Sequence, residues 1–183
     1  KELFVKLNLN TESKPGPNTV CFVAPLGHDA TSSAIQLQLK AENTVAIDPL
    51  YGFAKRRTLM TTPVTRPEVR DAAHALLASD GVPVSVMRDS AGFIAQRVVA
   101  HIVNVGCDIV QQRIATPEDL DSAVMLGLGY PKGPLGMGDA VGAPKILAIL
   151  EAMHAFYGEP RYRPSPWLKR RALLGVSLLT KDL

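Results

Sequence analysis

The sequence has little cysteine, few aromatic residues and no long apolar run, and each shortage narrows the reading. Cys21 and Cys107 are too few and too far apart for a metal site or a disulfide framework, so a reduced, cytoplasmic setting is expected. No stretch reaches the ~18 to 20 uninterrupted apolar residues of a membrane span, so no membrane contact is expected. There is no secretory pattern, and Lys1 in place of an initiator Met reads as a processed start. A net charge of +3 is too mild to predict a nucleic-acid partner. The 46% hydrophobic content is ordinary for a folded protein, and 183 residues suffice for one domain or two small ones.

What is present is organised around Asp89 to Gln112, DSAGFIAQRVVAHIVNVGCDIVQQ. Asp89 or Ser90 is suited to cap a helix, and only Gly106 interrupts the good helix formers that follow. Phe93, Ile94, Val98, Ile102, Val105 and Ile109 recur at helical spacing, with Val99, Val103 and Val110 as a second apolar edge. A helix apolar on two sides needs cover on both, so it belongs at the centre of a helical domain, with a second subunit as a further cover.

Upstream, strand-like runs alternate with helical ones. Thr19 to Ala24, Thr44 to Ile47, Arg57 to Thr62 and Val82 to Met87 read as strands, Pro83 placing the last at an edge or at its own start. Ala30 to Lys40, capped by Asp29, and a helix opened by the Thr65-x-x-Glu68 capping box lie between them. Lys1 to Leu9 suits a short helix or a strand, and Thr11 to Asn18 a linker. Downstream no strand is needed. Thr116-Pro117-Glu118-Asp119 starts one helix, Pro144 another running to Tyr157, and Ser165-Pro166 a last short one. The segment from Gly127 to Gly142, with six Gly and two Pro, must trace a defined path between helices. The expected organisation is an α/β segment over 1–88 and an all-helical domain over 89–183.

The downstream half resembles the C-terminal domain of the 3-hydroxyacyl-CoA dehydrogenase family. The resemblance rests on Asp89-Ser90-Ala91-Gly92-Phe93-Ile94 with Arg97, on Thr116 to Asp121, and on Gly127, Gly129, Pro131, Gly133-Pro134, Asp139 and Gly142. It implies a Rossmann-like α/β remnant followed by an all-α domain of the 6-phosphogluconate dehydrogenase C-terminal-like type. It further implies NAD as cofactor of the complete enzyme, an acyl-CoA substrate of fatty-acid or aromatic-acid breakdown, and a dimer contact through the helices. Gly92, Arg97, Asp121, Pro134 and Asp139 are the structural residues of the matching motifs.

The family's chemistry uses a His polarised by a Glu, assisted by Ser and Asn. This sequence has Asp48-Pro49-Leu50-Tyr51 where the His would fall, Met60-Thr61-Thr62 for the Glu, Pro25-Leu26-Gly27-His28 for the Ser and Gln96 for the Asn. The G-x-G-x-x-G turn that cradles a dinucleotide is absent. The expectation is the distal, degenerate half of a longer dehydrogenase, packed against a catalytic NAD-binding module and inactive alone, with no catalytic residue, no metal and no cofactor of its own. The alternative is an assembly module with no ligand.

Gln96, His101 and Asn104 are the polar residues of the long helix, facing either a substrate groove or a partner helix. Arg161, Arg163, Lys169 and Arg170, with Arg171, Tyr162 and Trp167 among them, suit either the phosphates of coenzyme A or a solvated helix face. His28 follows a strand end, where α/β layers hold ligands. His74 and His154 fall inside helices and read as structural. Arg97, among apolar neighbours, needs a partner, and Asp89, Asp121 and Asp139 are the candidates.

Overall fold

The computed structural model describes residues 2–7, 11–12, 15–16 and 19–182. Contacts divide the chain into two compact units, Lys1–Phe93 and Ile94–Leu183. The division expected from the sequence, between residues 88 and 89, lies a few residues earlier.

The first unit is a four-stranded sheet with helices on both faces. Its strands are β1 (Cys21–Val23), β2 (Thr44–Ile47), β3 (Arg57–Thr61) and β4 (Val84–Met87), in the order β1-β2-β3-β4. β1 runs parallel to β2 and β3 parallel to β4, while β2 and β3 are antiparallel, with Ala46 opposite Met60. Successive side chains of a strand point to opposite faces. Val45, Ile47 and Leu59 accordingly pack with Val69, Ala73 and Leu77 of helix α3 (Pro67–Ala78) and with Leu3 of the short helix α1 (Glu2–Lys6). Ala46 and Met60 pack on the other face with Val23, Phe93 and Ala30 of α2 (Ala30–Gln36). The N-terminal segment open to helix or strand is thus helical over Glu2–Lys6, and the linker expected over 11–18 lies partly outside the described residues. β4 is an edge strand that begins after Pro83, whose carbonyl accepts from Arg57 N–H at 2.9 Å.

The second unit is all helical among the described residues. It comprises α4 (Ala95–Gln111), α5 (Pro117–Leu128), α6 (Pro134–Val141), α7 (Ala143–Tyr157) and α8 (Pro166–Leu174). α4 packs against all four of the others. The Gly/Pro segment is more ordered than a path between helices, since Pro134 begins α6 inside it. Asp121 holds that start, accepting from Leu135 N–H at 2.9 Å and Gly136 N–H at 2.8 Å. The chain passes so close to Asp121 that any side chain at Gly133 would overlap it. Gly106 serves in the same way on α4, where an added Cβ would lie 2.6 Å from Pro134.

Three local expectations are corrected. Asp89 does not cap the long helix, which begins at Ala95 without a side-chain cap. Its carboxylate instead accepts from Ala30 N–H at 2.7 Å, Thr31 N–H at 3.2 Å and the Thr31 hydroxyl, so it holds the start of α2 together with Asp29. Thr65 makes no capping box; its hydroxyl donates to Thr44 O, and α3 starts from Arg66 without a side-chain cap. Nor are both apolar edges of α4 covered within the chain, as the two-sided pattern leads one to expect. The supposed second edge, Val99, Val103 and Val110, is buried, whereas Ile94 at 62%, Val98 at 51% and Val105 at 44% exposure point outward.

Candidate functional site

In the α/β unit the site is the end of the sheet where β1 and β2 run into their loops. β2 reads Thr-Val-Ala-Ile and β3 Arg-Thr-Leu-Met-Thr, so neither strand carries an imidazole or a carboxylate. Beyond β2, Asp48 is buried and accepts from Leu50 N–H at 3.0 Å, closing its own turn. Met60 is fully buried in the apolar core, and Thr62 donates its hydroxyl to Ala41 O at 3.0 Å. His28 is exposed at the side chain, while its carbonyl accepts from Gly92 N–H. Gly92 adopts φ 81, a left-handed backbone that glycine reaches without a Cβ clash.

A dinucleotide pyrophosphate needs free N–H groups at a helix start, where the helix dipole favours an anion. At α2 those groups are already taken by carboxylates: Ser32 N–H by Asp29, and Ala30 and Thr31 N–H by Asp89. Two fixed negative charges there repel a diphosphate. The residues present do not fit NAD at this helix.

Among the residues singled out in the helical unit, Gln96 is fully buried and Asn104 is 3% exposed. Asn104 donates from Nδ2 to Arg163 O at 2.9 Å and accepts from Ser165 N–H at 2.8 Å. Its amide therefore fastens the segment ahead of α8 and is not offered to a ligand. His101 is half-buried, with Nδ1 lacking a hydrogen-bond partner. Arg97 finds an aromatic partner that was not among its candidates. It donates to the Tyr157 hydroxyl at 2.6 Å and lies 5.1 Å from the centre of that ring. Asp121 is spent on α6, and Asp139 accepts from Leu178 N–H at 2.8 Å and from the Ser177 hydroxyl. Sixty residues separate Arg97 from Tyr157, and no local spacing signals the pair.

The basic tail divides. Arg161 pairs with Glu159, and Lys169 with Glu151 at 3.8 Å. Arg163 and Arg170 are exposed. Arg171 is buried, stacked 3.1 Å from the Trp167 ring centre, and donates to Thr180 O and to Asp182 at 2.9 Å. Cys107 is a buried thiol, its pKa pushed up to about 12 by desolvation. Among the described residues no cluster of His, Cys, Asp and Glu could hold a metal ion.

Residues 92–177 match the family model described as 3-hydroxyacyl-CoA dehydrogenase, C-terminal domain. The helical part of the chain belongs to the 3-hydroxyacyl-CoA dehydrogenase family. A relative, the 3-hydroxyadipyl-CoA dehydrogenase of Escherichia coli K12, is 36% identical over 155 residues, which are 85% of this chain and 32% of that protein. The crystal structure of a 3-hydroxybutyryl-CoA dehydrogenase from E. coli K12 superposes with TM-score 0.75 at 33% identity, over 90% of this chain and 34% of that one. M. tuberculosis FadB2 shares the fold, at TM-score 0.80 and 23% identity, over 92% of this chain and 62% of that one. These matches take in the α/β layer as well as the helices, and the chain spans about a third of the length of its E. coli relatives. The 3-hydroxyacyl-CoA dehydrogenase assignment thus rests on the match of the helical unit and on the shared fold, while β2 and β3 carry neither an imidazole nor a carboxylate.

Proposed function

We propose that this chain is the distal part of an NAD-dependent 3-hydroxyacyl-CoA dehydrogenase of the 3-hydroxybutyryl-CoA type, working in fatty-acid or aromatic-acid breakdown in the cytoplasm. The observation that carries the reading is the joint one at α2 and β2–β3: a family fold whose anion-binding helix start is filled by Asp29 and Asp89, and whose strands carry no acid–base pair. NAD binding and proton transfer belong to another module of the complete enzyme. This part adds helical surface for assembly, including homodimer contact, and a border to the acyl-CoA groove. The outward stripe of Ile94, Val98 and Val105 supports the assembly role, because exposed apolar side chains at helical spacing mark contact surfaces.

Coenzyme A phosphates would meet Arg163 and Arg170, which have no carboxylate partner among the described residues, before Arg161 or Lys169. Gln96 and Asn104 are buried, so His101 is the polar α4 residue of the three with exposed surface. The chain alone, mixed with NAD and 3-hydroxybutyryl-CoA, should form NADH no faster than the blank. A rate in the ordinary enzymatic range, ~1 to 10³ per second, overturns the proposal. Calorimetry with acetoacetyl-CoA separates the second reading, a ligand-free assembly module: binding weakened by Arg163→Ala and Arg170→Ala supports the groove, and silence supports assembly alone.

A further inference from the structure

In the helical unit, the segment that follows α8 is fastened in two stages. The inner stage is a core contact: Leu178 is fully buried beside Gly138, where an added Cβ would lie 2.5 Å from it. Leu178 N–H donates to Asp139 at 2.8 Å, and its carbonyl accepts from the Trp167 indole N–H at 2.9 Å. The outer stage, 179–182, is exposed at all four residues. It is held by polar contacts: Thr180 O and the Asp182 carboxylate accept from Arg171, at 2.8 and 2.9 Å, and Lys181 pairs with Glu118 of α5 at 3.1 Å. Lys181 and Asp182 also form one wall of a cleft of about 510 Å³, lined further by the α4–α5 turn around Ile114 and Ala115 and by Trp167.

The two stages differ in what it costs to open them. Opening the inner one uncovers a core leucine and breaks the hydrogen bonds to Asp139 and Trp167. Releasing 179–182 withdraws no buried side chain. Its ion pairs end on exposed carboxylates, Asp182 and Glu118, where a pair contributes little and salt screens it. Arg171 is what resists the release. It is buried against the Trp167 ring and takes Thr180 O and Asp182, its acceptors, from the outer stage. A buried guanidinium deprived of both is left unpaired, a larger penalty than the loss of an exposed pair. The outer stage therefore rests closed, and its opening is a local event that leaves Leu178 in place.

We propose that 179–182 is a salt-sensitive latch, a movable wall whose release widens the cleft at the α4–α5 turn and uncovers Trp167 while the helices stay in place. Trp167 is the single tryptophan of the sequence and is buried, so acrylamide quenching of its emission in the full chain reports the opening. Between about 0.1 M and about 1 M salt the screening length falls from ~10 Å to ~3 Å. Quenching should rise about two- to fivefold over that range, the change in open population that one exposed pair supports. Lys181→Met with Asp182→Asn should quench at that higher level already in low salt and lose the salt response, with unchanged far-UV circular dichroism. The Leu178 N–H should stay protected from hydrogen exchange throughout, because the inner stage does not move. Quenching that ignores salt, a double variant that quenches like the parent, or a rise accompanied by loss of helical signal or of Leu178 protection would overturn the proposal.

Discussion

Arg57 is buried to the point of having no exposed side-chain surface, and its charge is met by Asp80 at 2.7 Å, with Phe53 O and Leu77 O accepting from it as well. The hydrogen bond from Arg57 holds the Asp80 carboxyl down at about 2. A carboxyl pKa depressed in the folded state contributes stability above its unfolded value of ~4, and that contribution is lost as pH falls through 4 toward 2. Asp80→Asn should therefore lower the melting midpoint at pH 7, and the gap from the parent should close on acidification to about pH 2. A gap independent of pH would mean that the pair contributes nothing through charge. Asn104 is the second residue of this kind. Asn104→Ala strands the Arg163 carbonyl and the Ser165 N–H, and should cost about 2 kcal/mol or more in chemical denaturation. Neither pair is visible in the sequence, because each joins residues that only the fold brings together.

At the scale of the element, α4 shows how far periodicity reaches. Helical spacing places one helix close to its observed bounds, yet both apolar stripes satisfy the same spacing, so the pattern alone does not say which faces the bundle. Packing decides it, since Gly106 and Cys107 lie on the buried side and let α6 approach. Gly106→Ala should accordingly destabilise the helical unit by ~1–3 kcal/mol, although alanine is the better helix former. A stabilised variant would show that the contact with Pro134 yields freely. The four strands and the starts of α5 and α8 were legible because β-branched runs and Pro at the first helical turn act locally. α6 was not legible. Its start is held by Asp121 from α5, and glycine-rich composition concealed a helix made by a tertiary cap. Asp121→Ala should remove about 1 kcal/mol of stability, comparable to loss of an ordinary helix cap.

At the scale of the whole molecule, the candidate chemistry was legible mainly as absence. The sequence offers no match to the His, Glu and dinucleotide turn that the resemblance implies; in the structure, Asp29 and Asp89 take up N–H groups at the start of α2. The expectation that Asp89 or Ser90 caps the long helix fails because capping rules assign a polar side chain to the nearest helix in sequence, whereas Asp89 reaches one 59 residues away. The exposed stripe of α4 makes a matching claim about assembly. Val98→Asp with Val105→Asp should reduce the sedimenting mass to that of a single chain without unfolding it; an unchanged mass would remove that face from the interface. Calorimetric titration of the chain with NAD decides whether this fold has kept a cofactor site: no heat beyond dilution is expected, and saturable binding of one NAD per chain would overturn the proposed division of labour.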